Sequence, residues 1–225
     1  MSSPVEPTIA EHPDSSRRLG RLAGWAVVTL SLLYLATGIA GLVFGRIQTA
    51  ENLGQGEPYL SLLEALIVAL APFLILLFVA AHAAAPEDKK PQAIAALCFA
   101  ALAAGLTASI HFARLVIVRR LDPATVESLS PLVSFRWPSV ALALDLLAWD
   151  LCLGIALLFL SSAWRAERSI RLTSAAAGWL CLLGFLGPAT GEMQIQFLGI
   201  AGYAFLFPLA AWRLALFFGR RNQVS

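Results

Sequence analysis

Charge is what this chain has least of. Of its 225 residues, 13% are Asp, Glu, Lys or Arg, about half the share in an ordinary soluble domain. The charges lie in short islands between long apolar runs, and 59% of the residues are hydrophobic. A soluble globular domain is excluded, and the chain reads as an integral membrane protein. The net charge of +2 leaves no footprint for nucleic acid, which is not an expected partner. Cysteine is scarce too. Cys98, Cys152 and Cys181 sit singly in three apolar runs, without the spacing of a thiolate metal site or a disulfide pair. The lysines, Lys89 and Lys90, share one polar island, so no span offers an amine for a retinal Schiff base. His82 and His111 fall near opposite faces of the apolar layer and cannot bracket one haem. H-E-x-x-H and G-x-S-x-G are absent, as are the serine and histidine motifs of the six-span rhomboid proteases. Glu64, His111 and Asp145 are hard-ligand types, but no spacing enforces a metal site. Neither metal nor cofactor is expected.

What is present is six runs near the ~20 residues that a bilayer demands. They lie at about 22–45, 59–84, 92–118, 138–163, 172–190 and 194–218. The fold class is therefore all-α, a polytopic bundle of six transmembrane helices filling residues 20–219. Residues 1–19, rich in Pro and Ser, read as a disordered tail, and 220–225 as a short C-terminal tail. The first apolar run is longer than a signal-peptide core and no small-x-small site follows it, which predicts an uncleaved helix. Lys and Arg set the orientation. With the N-terminus inside, that face collects Arg17, Arg18, Arg21, Lys89, Lys90, Arg165, Arg168, Arg171, Arg220 and Arg221, against Arg46, Arg119, Arg120 and Arg136 outside. Both termini are expected in the cytoplasm of a multi-pass cell-membrane protein.

Against this background two aspartates stand out in ALALDLLAWDLCLGIALLF, residues 141–159. Each Asp near a helix centre costs roughly 2.5–3.5 kcal/mol on insertion. Counting 1.5 Å per residue from the outer boundary puts Glu64, His111 and Asp145 at roughly the same depth, about 8–11 Å, with Asp150 near 18 Å. Arg114 lies one turn above His111, and Gln196 opens the last span from the same side. The inner half is nearly clean, with His82 and Arg213 close to its edge. Helical spacing adds faces. Thr107, His111 and Arg114 share one stripe; Asp145, Trp149 and Cys152 another; Gln196, Gly199 and Tyr203 a third. Asp150 points about 140° away from Asp145, so the two need different partners. The simplest pairing sets Arg114 against Asp145 or Glu64 with His111 between them. Such pairs also occur merely to lock helices together, but a set this large reads as one functional cavity.

Small residues indicate close packing: Gly38, Gly41 and Gly45 in the first span, Gly178 and Gly184 in the fifth, Gly199 and Gly202 in the sixth. They serve one bundle first, with a homodimer as a further use. Pro72 and Pro208 are expected to kink their helices. In the loop 119–137, Asp122 before Pro123 predicts an N-cap and a short helix over 123–129. The loop reads as either an ordinary connection or a cover over the polar cluster.

The stretches WPSVALALDLLAWDLCLGIALLF and GPATGEMQIQFLGIAGYAFLFPLAAW resemble a group of bacterial six-span membrane proteins of unknown function. The resemblance covers most of 137–212; it implies the six-helix fold and no activity. From the residues themselves, two functions fit. One is an enzyme acting on a lipophilic substrate, a lipid or isoprenoid, that enters from the bilayer. A carboxyl in an apolar pocket serves as a general acid, and Asp145 or Glu64 is the candidate, with His111 relaying the proton. Arg114 would bind a charged group, with Asp150 and Gln196 as further polar contacts, while Trp149, Trp179 and Tyr203 would wall the pocket. The other is a small proton- or ion-coupled carrier, channel or ligand sensor built on the same groups.

Overall fold

A computed structural model of the chain describes residues 14–44 and 57–220. Residues 1–13, Gly45, Arg46 and the C-terminal tail from Arg221 lie outside the described residues. Every regular element among those described is helical. Six helices are long and apolar enough to cross a membrane: Ser15–Val43, Tyr59–Ala84, Glu87–Arg120, Val140–Ala163, Arg168–Thr190 and Met193–Gly219. They are the six runs of the sequence, the second with the same bounds and the others extended or trimmed by a few residues. The largest difference is at the start. The first helix reaches back to Asp14, so residues 14–19, assigned above to the tail, are helical.

The spans form a ring in chain order. Each packs against the next, and the sixth closes on the first. Closure depends on two glycines one turn apart, Gly20 against the Phe218 ring and Gly24 against Ala215 and the Ala211 carbonyl. Without side chains there, the two backbones approach closely where no hydrophobic drive exists between helices. Because Gly20 meets Phe218, the first helix begins at the end of the bundle where the last one finishes. This is the terminal end; the end carrying residues 121–139 is the loop end.

The third span shows how sequence spacing builds the wall. Its buried residues are Ala93, Ala96, Ala100, Ala103, Ala104, Thr107, His111 and Arg114, an i, i+3, i+4 stripe running the whole helix. Near the terminal end the stripe is alanine and the neighbouring helices sit tight; towards the loop end it turns polar. The terminal half of the core is filled by Leu74, Leu77, Phe78, Leu157, Leu160 and Leu214, each 1% exposed or less. Lys90 Nζ lies 3.0 Å from the carbonyls of both His82 and Ala83 and adds a cation to the last turn of the second helix, where the Ala85 N–H also caps the His82 carbonyl.

Two π-helical segments interrupt the regular spans, Leu147–Cys152 in the fourth and Ala201–Leu206 in the sixth. The second ends just before Pro208, whose missing N–H cannot join the ladder. The second span runs as one helix through Pro72. In the connection, Pro123–Ser128 is helical as its cap signal implies, and Asp122 Oδ1 accepts from the Thr125 N–H at 3.0 Å. The Thr125 hydroxyl and this amide hold the Asp122 carboxyl below the usual aspartate range. A further turn, Ser130–Val133, follows it.

The glycines of the fifth and sixth spans pack as their spacing implies. Gly184 meets the backbone of Gly199, Gly178 that of Gly154, and Gly202 the Ala177 carbonyl and Cys181. Gly38 has nothing within 4 Å of its Cβ direction, so it takes no part in packing this bundle.

Candidate functional site

The polar residues of the second, third and fourth spans meet at the loop end. Glu64, 3% exposed, is the hub. Its Oε1 accepts from Arg114 Nε at 2.7 Å, and its Oε2 pairs with His111 Nδ1. The other imidazole nitrogen, Nε2, lies 3.4 Å from Asp145 Oδ1. That same oxygen accepts from the Thr107 hydroxyl at 2.7 Å and from Trp149 Nε1 at 3.1 Å. Arg114, His111 and Thr107 come from one stripe of the third span, so the helix itself sets their spacing. Asp145 Oδ2 receives none of these donors.

His111 therefore has a carboxylate on each ring nitrogen. An imidazole donates from one ring nitrogen when neutral and from both when protonated, so the three side chains form one continuous polar chain through the His111 ring. Arg114 fixes one end of this chain by holding Glu64. Asp145, whose side chain is 16% exposed, is the open end.

The loop closes the site from above. Arg114 Nη1 also donates to the Val133 carbonyl, and the Phe135 ring lies 4.3 Å from the guanidinium carbon and 5.1 Å from the His111 ring. Of the two readings of 119–137, the contacts match a cover. They also hold Arg114 by Nε and Nη1, and it is not among the residues that line the cavity below.

Below the cover lies a cavity of about 330 Å³. Its polar corner is His111, Asp145, Tyr34 and Ser31; its walls are Trp149, Tyr203, Phe205, Phe207 and aliphatic side chains of the first, second and sixth spans. Trp149 and Tyr203 pack ring against ring at 5.5 Å, and each belongs to one of the two π segments. π turns commonly mark functional sites, and here they bring the two rings together in one aromatic wall. The flank lies between the first helix and the second π segment, where Tyr34 and Phe205 line the cavity while 36% and 54% exposed. The first and sixth spans touch closely at Gly20 and Gly24, near the terminal end, and the cavity separates them nearer the loop end.

Asp150 occupies a separate place. It is 0% exposed, and its Oδ2 accepts from Gln196 Nε2 at 2.9 Å. Gly199 and Gly184 close around its carboxyl. Asp150 Oδ1 and Gln196 Oε1 are both buried without a hydrogen-bond partner. This matches the 140° divergence of the two aspartates: Asp145 faces the third span, Asp150 the fifth and sixth. Gln196 and Tyr203 also line a smaller recess of about 190 Å³ beside the fourth span.

Of the residues named from sequence, Glu64, His111, Arg114, Asp145 and Trp149 share one connected cluster, and Tyr203 joins it by packing against Trp149. Asp150 and Gln196 pair with each other. Trp179 is a correction: it is 59% exposed and is not among the residues that line this cavity. Sequence reasoning missed Tyr34 and Phe135. Tyr34 was detectable as the one hydroxylated aromatic deep in the first span; Phe135 carried no local signal. Among the described residues, no group of three or more His, Cys, Asp or Glu is arranged to hold a metal ion. Comparison with protein-family models, curated proteins and solved structures finds no significant match to this chain.

Proposed function

We propose that this membrane protein holds a lipophilic molecule in the 330 Å³ cavity, with the molecule's polar end against Asp145, and that Asp145 and His111 exchange a proton with it. The observation that carries this reading is the cavity's polarity: a mostly aromatic and aliphatic lining that includes the Asp145 carboxylate and the His111 imidazole, 3.4 Å apart. Small-molecule sites have this build, a mostly apolar hollow with a few placed polar groups. Glu64 and Arg114 position His111 and do not touch the ligand. Asp145 is the group that gives or takes the proton, and His111 restores it from the chain behind.

The distribution of Lys and Arg favours both termini in the cytoplasm and residence in the cell membrane. The polar corner then lies in the outer leaflet, and the flank at Tyr34 and Phe205 faces lipid. A ligand enters there sideways from the bilayer. A carrier moving protons or ions needs a polar route to the terminal end, and the packed leucines and Phe78 lie across it.

The test is native mass spectrometry with metal analysis on the detergent-purified wild type and on Asp145→Asn. A discrete lipophile on the wild type, lost from a folded mutant, is the expected result. Two equally bare and equally stable proteins would remove the site. Proton flux in liposomes, lost in the same mutant, would instead make the protein a carrier.

A further inference from the structure

The charges around the cavity restrict what its ligand can carry. This argument rests on the lipophile reading above and asks only about the head group. Anionic heads, phosphate or carboxylate, are recognised by arginine forks, by lysine, or by the free N–H groups of a helix start. Among the described residues, none of these lines the cavity. Arg114 is 4% exposed and is consumed by Glu64 and the Val133 carbonyl beneath Phe135. His111, the one other cationic side-chain type at the corner, stands between two carboxylates. Among the described residues, the lining includes no Lys or Arg.

What the corner does offer is an acceptor. Thr107, Trp149 and His111 converge on Asp145 Oδ1, which leaves Oδ2 free, and the Tyr34 and Ser31 hydroxyls stand in the same lining. A hydroxyl or amine donates to that oxygen. An anion placed there meets a carboxylate in a low-dielectric hollow, where like-charge repulsion is least screened. The size limits the rest. A volume of about 330 Å³ holds about eleven water-sized groups, so a head group and about ten carbons fill it. Anything longer leaves through the flank into lipid.

We infer that the ligand is a lipid alcohol or amine, a single-chain lipophile whose head donates a hydrogen bond and carries no negative charge. The test uses the full chain in nanodiscs with four probes of equal chain length: 1-decanol, decylamine, decanoate and decyl phosphate. The expected result is saturable one-to-one binding of decanol or decylamine, at least tenfold tighter than of decanoate or decyl phosphate. The Asp145→Asn variant narrows that gap by removing the repelling charge. Binding of decyl phosphate or decanoate as tight as that of the alcohol overturns this inference and leaves a lipophile site in place. No saturable binding of any probe overturns both.

Discussion

At the scale of single residues, the arrangement turns on one carboxylate serving two side chains of the third span. Glu64 accepts from Arg114 and contacts His111, and all three are 5% exposed or less. Removing one partner of such a pair leaves an uncompensated buried charge, which costs about 3–5 kcal/mol. Arg114→Met should therefore destabilise strongly and also release Phe135 and Val133. Glu64→Gln with Arg114→Met together should recover much of the loss, because both charges go at once. Unfolding midpoints in detergent for the two single variants and the double variant check this. A double variant as weak as the sum of the singles would mean that the pair is not coupled. The depth count anticipated this cluster because ionisable groups are so expensive in lipid that their positions carry information. Tyr34 escaped for the opposite reason. A phenol is cheap at many depths, so its position alone does not mark a site.

At the scale of helices, the close contacts separate glycines that matter from those that do not. A Cβ on Gly184 meets the backbone of Gly199, which cannot turn aside, whereas Gly38 faces open space. Gly184→Ala should cost about 1–3 kcal/mol through overpacking and push the fifth and sixth spans apart around Asp150. Gly38→Ala should stay within about 0.5 kcal/mol of the wild type. Thermal midpoints in one detergent separate the two; equal losses would refute the packing argument. The spans themselves were legible because apolar length is a direct physical demand of the bilayer. The cap at Asp122 was legible because capping is local chemistry. The π segments were not. They depend on how Trp149 and Tyr203 fit between helices distant in sequence, and only Pro208 hinted at one of them. Nor did the sequence show Gly20 and Gly24 as the closing contact of the ring, since their partners lie near the opposite end of the chain.

For the whole molecule, the consequence of the proposed orientation is direct. Ala124, in the loop-end connection, and Ala166, between the fourth and fifth spans, are both exposed and at opposite ends of the bundle. In intact cells, a membrane-impermeant thiol reagent should label Ala124→Cys and spare Ala166→Cys until the cells are opened. The native thiols lie within spans and contribute little background. The reverse pattern would place the polar corner in the inner leaflet and leave the cavity's chemistry unchanged. The ring order was not readable from composition. Short connections favour neighbours in sequence, but nothing in the chain announced that the sixth helix returns to the first.

That return is incomplete, and the gap at Tyr34 and Phe205 changes how affinity has to be measured. A molecule arriving through it is drawn from a two-dimensional solution, the bilayer itself, where lipophiles are already concentrated by partitioning. The relevant concentration is a mole fraction among lipids, not a molarity in buffer. Diluting the sample with buffer should barely empty the site, whereas adding protein-free lipid vesicles should strip it.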